Sequence, residues 1–142
     1  MPHELGVVDN WVHDALAAKT NLNSLVAERI WEGEAVQGAS YPYCLFGMLS
    51  EQSVQGLGVV RLLSRPLMYA KLVWYGSVTT DIMTALDELD DALGAVSVAV
   101  SEGYVISARR FNMLDYRERD PTGKSIRHRG GLYRLEVSPS GA

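Results

Sequence analysis

The sequence predicts an α+β fold in which helices pack on a mixed, largely antiparallel sheet, with a basic hairpin or arm protruding from it. Two observations indicate this class: some segments place apolar residues at helical spacing, and others are apolar or alternating runs of strand length. The length of 142 residues suits one domain that buries about 68% of its unfolded surface. We expect one domain over residues 1–138 and a flexible tail over residues 139–142.

Two helices are predicted at the amino terminus. In VVDNWVHDALAAK (residues 7–19), Val8, Trp11 and Val12 recur at helical spacing and define an apolar face. Residues 21–24 then break this helix and supply caps for a short second helix, SLVAERIW (residues 24–31). We therefore expect a helical pair that packs on the sheet.

The next segments are predicted to be strands. YPYCLFGMLS (residues 41–50) reads as a buried strand, followed by a loop, SEQSVQGLG (residues 50–58). VVRLLS (residues 59–64) and LMYAKLVWYG (residues 67–76) follow as two separate strands. Alternation in the second puts Met68, Ala70, Leu72 and Trp74 on one face and Leu67, Tyr69, Lys71, Val73 and Tyr75 on the other. One face should be deeply buried and the other partly exposed.

TTDIMTALDELDDALG (residues 79–94) carries the clearest helix signal. Thr79 or Thr80 supplies the amino-terminal cap, and Gly94 ends the apolar repeat. Four acidic residues project away from the apolar stripe or from its flank: Asp87, Glu88, Asp90 and Asp91. They point over too wide an arc to converge on one metal ion, so we expect an acidic surface that faces solvent or a partner.

The carboxy-terminal third is predicted to contain VSVAV (residues 96–100), YVISARRFNML (residues 104–114) and GLYRLEVS (residues 131–138) as strands. Between the last two lies DYRERDPTGKSIRHR (residues 115–129), which holds six basic residues. Its Gly-Lys-Ser resembles the end of a P-loop, but Glu118 occupies the position of the required first glycine.

The basic stretch instead has the residues of a type I turn at 120–123, Asp-Pro-Thr-Gly. Only Ile126 offers an apolar anchor near this turn. We therefore expect an arm that is mobile in the free subunit and ordered by partners.

Charge divides the chain into two parts. Residues 1–103 hold five Lys or Arg against thirteen Asp or Glu, a balance of −8, and residues 104–142 hold eight against four, a balance of +4. A chain polarised in this way suits like subunits that meet head to tail, because such a contact joins two different surfaces. We predict that the contact uses the acidic set together with the basic residues Arg117, Arg119, Lys124, Arg127 and Arg129.

The sequence contains no recognisable catalytic, cofactor-binding or metal-binding set, and we predict that the protein is not an enzyme. The most reactive residue types, Cys44, His128 and Asp120, lie in segments that have no reason to converge. His3 and His13 lack helical ligand spacing and a third partner. No membrane-spanning run or signal peptide is visible, so we expect the protein to stay in the cytoplasm where it is made.

The order of these segments resembles that of the tail terminator, or tail completion, proteins of long-tailed bacteriophages and phage-derived particles. The features that match are NLNSLVAERIW, YPYCLF, LMYAKLVWYG leading into TTDIMTALDELDDAL, and the final GLYRLEV. The resemblance implies a hexameric ring, without catalysis or cofactors, that caps the tail tube and joins tail to head. It implies as partners other copies of the chain, the tail tube protein and a head completion or connector protein, with DNA passing through the lumen and no membrane.

Two alternatives remain open at this point. Another neck component, such as a head completion protein, also docks as a ring, but on the portal side. A nucleic-acid-binding module would use the basic residues of the carboxy-terminal third, although Asp115, Glu118 and Asp120 are interleaved with them. Under the leading hypothesis the protein is located in the virion, at the head–tail junction.

Overall fold

A computed structural model describes residues 4–55, 61–100 and 104–139. Within these ranges lie three helices, α1 (Glu4–Ala17), α2 (Thr20–Val26) and α3 (Thr80–Leu93). The same ranges hold six strands, β1 (Ile30–Glu32), β2 (Tyr43–Gln55), β3 (Arg61–Tyr75), β4 (Ala95–Val100), β5 (Tyr104–Arg119) and β6 (Ser125–Pro139).

The described strands form one sheet in the order β1-β2-β3-β6-β5-β4. β1 pairs with β2 in parallel, and the other four neighbouring pairs are antiparallel. Helices that pack on a mixed, largely antiparallel sheet confirm the predicted α+β class. The parallel pair is possible because the connection from β1 to β2, residues 33–42, returns the chain to the same end of the sheet.

The sheet has two different faces. The helices cover one, which we call the helix face, and the main core lies there; it includes Val12, Phe46, Leu72, Leu89 and Tyr133. The other face, called the second face, carries a smaller apolar cluster of Leu45, Val73 and Ile126 with aromatic side chains around it. The alternation predicted for β3 is confirmed, since Met68, Ala70, Leu72 and Trp74 are all buried on the helix face.

The predicted third helix is also confirmed. The Thr79 side chain accepts a hydrogen bond from the Ile82 backbone N–H at 3.2 Å and thereby satisfies one donor of the first turn. The helix ends at Leu93, and Gly94 is its carboxy-terminal cap. Five side chains are buried along one stripe: Ile82, Ala85, Leu89, Ala92 and Leu93.

The prediction of a helix over residues 24–31 is wrong in its boundaries. α2 begins at Thr20 and ends at Val26, so residues 21–24 lie inside it and do not break the chain. Ala27 and Glu28 then adopt left-handed backbone conformations, with φ of 50° and 64°. Ile30 and Trp31 enter β1, where pairing with β2 outweighs the helical spacing of the apolar residues.

The predicted loop after residue 50 is wrong as far as residue 55, because β2 continues to Gln55 and pairs with β3; residues 56–60 lie outside the described residues. β3 is also continuous where two strands were expected. Its proline, Pro66, falls where the ladder to β6 passes from Ser64 directly to Leu67. The N–H that proline lacks is therefore not needed on that side.

The basic stretch is a hairpin, which was one of the two expected forms. The expectation that it is a mobile arm with few anchors is wrong, because its second half lies between β5 and β3 in the sheet. Ile126 and His128 are both buried there. Pro139, expected to begin the flexible tail, is the last residue of β6 and pairs with Tyr104; residues 140–142 lie outside the described residues.

Candidate assembly interface

Glu88, one of the four predicted acidic interface residues, holds two helices together. Its carboxylate accepts hydrogen bonds from the backbone N–H groups of Asn21 and Leu22 at 3.0 Å each, and from Asn21 Nδ2 at 2.7 Å. The bond from the Leu22 backbone is the largest cause of a pKa for Glu88 below its ordinary value. The charge of Glu88 therefore satisfies unpaired donors at the start of α2.

Asp90 is also engaged within the subunit. The Tyr133 hydroxyl donates to its Oδ1 at 3.1 Å, and Arg110 approaches its Oδ2 at 3.4 Å. Burial raises the pKa of Tyr133, so its hydroxyl remains a donor at neutral pH. Asp87 and Asp91 are exposed on the outer side of α3. The predicted acidic surface therefore divides into two structural carboxylates and two that face solvent.

The arginines of the hairpin lie on one face of the sheet. Strand alternation and the β5–β6 register place four arginines on the helix face: Arg117, Arg119, Arg127 and Arg129. Arg129 is compensated by Asp115, directly opposite it, at 3.1 Å. The fifth predicted basic residue, Lys124, lies in the turn, with its ammonium group 5.7 Å from the centre of the Tyr75 ring.

Arg117 and Arg127 are directly opposite each other in the register. Like charges at opposed positions of an antiparallel pair destabilise it. In the described part of the chain neither guanidinium forms an ion pair, and Arg117 is exposed. An arrangement that costs stability in the isolated subunit marks these arginines as candidates for contact with an acidic partner.

The turn of the hairpin is held by its own hydrogen bonds and does not have the form of a phosphate-binding loop. Gly123 N–H donates to the Asp120 carbonyl at 2.9 Å, as in the predicted type I turn, and Gly123 has a φ of 86° that favours glycine. Asp120 Oδ1 accepts from the Thr122 hydroxyl at 2.6 Å, and this bond chiefly lowers the pKa of Asp120. The Gly-Lys-Ser segment leads into strand β6, whereas a P-loop leads into a helix.

On the second face of the sheet, the hairpin contributes to a polar and aromatic cluster that the sequence did not predict. His128 Nε2 lies 2.6 Å from Glu118 Oε1, and the Tyr116 ring stacks on the imidazole at 4.4 Å. Lys71 contacts the Tyr116 hydroxyl at 2.5 Å. Glu118 favours a protonated imidazole, but burial has the larger effect and Lys71 adds to it, so the pKa of His128 lies below its ordinary value. The registers of β6 against both β5 and β3 bring these groups together.

A cleft of about 210 Å³ separates α3 from the start of the hairpin. Its walls combine acidic and basic side chains with two exposed methionines: Asp87, Asp90, Arg110, Arg129, Met83 and Met113. The structure therefore brings part of the acidic set and one residue of the basic set to the same cleft of one subunit. Arg117 and Arg119 lie farther along the hairpin and do not line it.

Large exposed apolar side chains form a second feature without a sequence signal. Those on the sheet edges are Leu49, Phe111, Met113 and Tyr116. Leu49 and Phe111 are the extra residues where the registers shift between Met48 and Ser50 and between Arg110 and Asn112. A β-bulge turns such a residue outward, and neither bulge follows from apolar spacing.

The described residues show no arrangement typical of catalysis or metal binding. Among them no cluster of three or more His, Cys, Asp or Glu could hold a metal ion. Cys44 is buried on the helix face, where burial raises the pKa of its thiol to about 12, and His128 lies on the second face. None of the helices in the described ranges is long and apolar enough to cross a membrane.

Comparison with known proteins identifies a related fold. No protein-family model matches the chain, and no curated protein matches it. Among solved structures, a chain from the virion of a native gene transfer agent particle superposes with a TM-score of 0.56. The two chains are 15% identical, and the match covers 89% of this chain and 91% of the other. The likeness shows that the two chains share a fold over almost their whole lengths.

Proposed function

We propose that this chain is a structural virion protein of a phage or phage-derived particle. It forms a ring, hexameric by the family resemblance, that caps the tail tube and joins the tail to the head. The observation that carries the proposal is the shared fold with a chain of a gene transfer agent virion, which extends over 89% of the present chain. The segment order that resembles tail terminator proteins supports the same role.

The surface chemistry supports assembly. Arg117 and Arg127 face each other without an acidic partner in the described part of the subunit, and Asp87 and Asp91 are exposed on α3. Contact with a neighbouring subunit or with the tail tube would neutralise these charges. Charged groups at such contacts mainly set association rate and specificity, so they suit a ring that must close in one register.

DNA passing through the ring is compatible with the hairpin but does not require tight binding by it. Arginines attract the phosphate backbone independently of sequence. Asp115 and Glu118 lie among them, and the chain has a net charge of −4. We therefore propose a lumen that DNA traverses without specific recognition.

The first experiment measures mass and position. The mass of the protein in purified particles should correspond to a ring of identical subunits, and labelled antibodies should decorate one end of tails that are made without heads. Absence from headless tails would instead favour a head completion protein. A monomer both in solution and in particles would contradict the proposal.

A pair of variants tests the hairpin. Arg117→Glu with Arg127→Glu should leave the fold intact and prevent complete particles from forming, because the acidic partner would then meet like charge. Arg109→Glu, which reverses an exposed charge on β5 outside the hairpin, is the control and should assemble normally. Equal particle counts for the two variants would show that the basic face makes no contact.

A further inference from the structure

Two strands of the sheet each have a long stretch with no neighbour among the described strands. β4 pairs with β5 only as far as Arg109, so residues 112–119 of β5 form a free edge. β1 pairs with β2 only over Cys44–Phe46, so residues 48–55 of β2 form another. The two stretches have the same length and lie at opposite ends of the sheet. Free edges of this length present unpaired backbone donors and acceptors and favour pairing with another chain.

Each free edge begins at a bulge with an exposed apolar residue. Leu49 is 55% exposed at the start of the β2 edge, and Phe111 is 58% exposed at the start of the β5 edge. Monomeric proteins usually protect edge strands with short length, charge, bulges or covering segments. The β5 edge carries charged residues, but both edges are long and uncovered by any described strand. An apolar residue turned outward at each edge has the opposite effect, because it leaves apolar surface for a neighbour to bury.

The direction of the free hydrogen-bonding groups on β5 follows from two contacts. The Arg110 N–H donates to the Gly94 carbonyl, away from β6, and after the bulge the Met113 N–H donates to the side chain of its own neighbour, Asn112. Alternation then directs the N–H and C=O groups of Asp115, Arg117 and Arg119 outward as well. These residues lie on the helix face.

The β2 edge has the complementary arrangement. The Cys44 N–H donates outward to the Arg29 carbonyl, and the Phe46 carbonyl accepts from the Gly33 N–H. Both residues lie on the helix face, and the register carries this pattern past the bulge to residues 51 and 53. On both edges the outward-directed groups therefore belong to helix-face residues. One antiparallel ladder can join the edges and keep the helix faces on the same side.

We propose that residues 112–119 of β5 in one subunit pair antiparallel with residues 48–55 of β2 in the next subunit, joining the sheets around the ring. This inference rests on the proposed ring function and specifies its contact. It uses two different surfaces of one chain, as a head-to-tail ring requires. It also joins the part of the chain with a balance of −8, which contains β2, to the part with a balance of +4, which contains β5.

The offset between the two edges fits ring closure. The strand pairings relate the centre of each free edge to a position on β3. These two positions lie about 7 residues apart, which is about 23 Å at roughly 3.3 Å per residue. Four strand spacings of about 4.8 Å, or about 19 Å, separate equivalent strands of successive subunits. A shift of about 23 Å along the strands for roughly every 19 Å across them tilts the strands by about 50° from the ring axis. This tilt is near the 35–45° of closed barrels.

Asp115 provides a test of the backbone contact. Asp115→Pro removes an outward-directed N–H and leaves the hydrogen bonds between β5 and β6 in place, whereas Asp115→Ala removes the same side chain and keeps the N–H. Ring assembly, measured as mass in particles, should fall at least tenfold for Asp115→Pro and remain near wild type for Asp115→Ala. Equal assembly of the two variants would contradict the edge pairing but not the proposed ring.

A cross-linking experiment covers the case in which Asp115→Pro does not fold. Two registers of the proposed pairing keep the helix faces on the same side and overlap the two edges almost fully. One puts residue 51 opposite residue 115, and the other puts it opposite residue 117. The double variant Glu51→Cys with Asp115→Cys, treated with a short bifunctional thiol reagent in assembled particles, should give a ladder of covalent multimers. Each single variant should give no covalent cross-link, because the two positions lie on different surfaces of the subunit.

Two outcomes would overturn the pairing: rings of the double variant that do not cross-link, or single variants that cross-link as dimers. Wild-type protein that never forms a ring would instead contradict the proposed function. Cys44 should not react with the reagent, because it is buried and burial raises the pKa of its thiol, so it can remain in all variants.

Discussion

The helix α3 and the β5–β6 hairpin carry similar densities of charge, but the fold uses them differently. On α3, four acidic residues within five positions are spread around the axis, so that Glu88 reaches α2, Asp90 reaches Tyr133, and only Asp87 and Asp91 face solvent. On the hairpin, every second residue shares a face, and cross-strand pairing brings four arginines together. A helix distributes a cluster of charges that a strand pair concentrates.

This difference separates structural charge from charge that is available to a partner. The carboxylates turned inward on α3 satisfy donors that would otherwise be unpaired. The opposed guanidiniums of Arg117 and Arg127 satisfy nothing in the described subunit and repel each other. We therefore expect substitution of Glu88 or Asp90 to affect mainly stability. Substitution of the exposed acids of α3 or of the opposed arginines of the hairpin should affect mainly assembly.

The largest expected effect tests whether α3 is anchored as described. Leu89→Ala should lower the free energy of unfolding by about 2–5 kcal/mol, because a buried leucine leaves a cavity between the helix and the sheet. Urea denaturation measures the change. Met83→Ala, on the exposed side of the same helix, is the control and should change stability by about 0.5 kcal/mol or less.

The second prediction distinguishes the two kinds of carboxylate on α3. Glu88→Ala should cost about 1 kcal/mol at neutral pH, comparable to the loss of a helix cap, because the start of α2 loses its acceptor. Asp87→Ala should cost much less. Equal denaturation midpoints for the two variants would contradict the separation of structural from available charge.

The effect of Glu88→Ala on stability should depend on pH. The pKa of Glu88 is lowered by folding, so its contribution is fully present above the pKa of the unfolded chain, about 4.3. The contribution is lost as the pH falls through the lower pKa of the folded state. The difference in stability between wild type and Glu88→Ala should therefore shrink toward acid pH.

The third prediction concerns the buried side of the hairpin. Because the pKa of His128 is lowered by folding, the unfolded chain binds more protons just below pH 6.5, and stability should fall as the pH drops from 7. The slope from one proton is at most about 1.4 kcal/mol per pH unit. His128→Gln should flatten the stability profile between pH 7 and pH 5. A profile unchanged by this substitution would mean that the contact with Glu118 cancels the effect of burial on the pKa of His128.

The smallest effect on stability is expected at the exposed acids. Asp87→Lys with Asp91→Lys should change the free energy of unfolding by about 0.5 kcal/mol or less, because surface charges away from close partners contribute little. The same variant should reduce the number of complete particles, since the reversed charges would oppose a basic neighbour. Circular dichroism checks the fold and electron microscopy counts the particles; wild-type counts would remove this surface from the interface.

The sequence by itself determined the elements whose signals are local. The period of 3.6 and the cap at Thr79 defined α3, the period of 2 defined both faces of β3, and Asp120 to Gly123 defined the turn of the hairpin. Each of these depends on interactions between residues that are close in the chain or on simple exclusion of apolar side chains from water. They account for the α+β class and for the positions of the charged segments.

Only the tertiary structure decided which strands meet and which charges are used. Pairing with β2 converted the end of a predicted helix into β1, and the gap in the β3–β6 ladder allowed Pro66 inside a continuous strand. The contact between Glu88 and α2 spans 66 residues of sequence, and the opposition of Arg117 and Arg127 depends on a register that no single segment encodes. The bulges at Leu49 and Phe111, and the two free edges that they begin, likewise depend on how far the flanking strands β1 and β4 extend, because hydrogen bonds between distant segments set those limits.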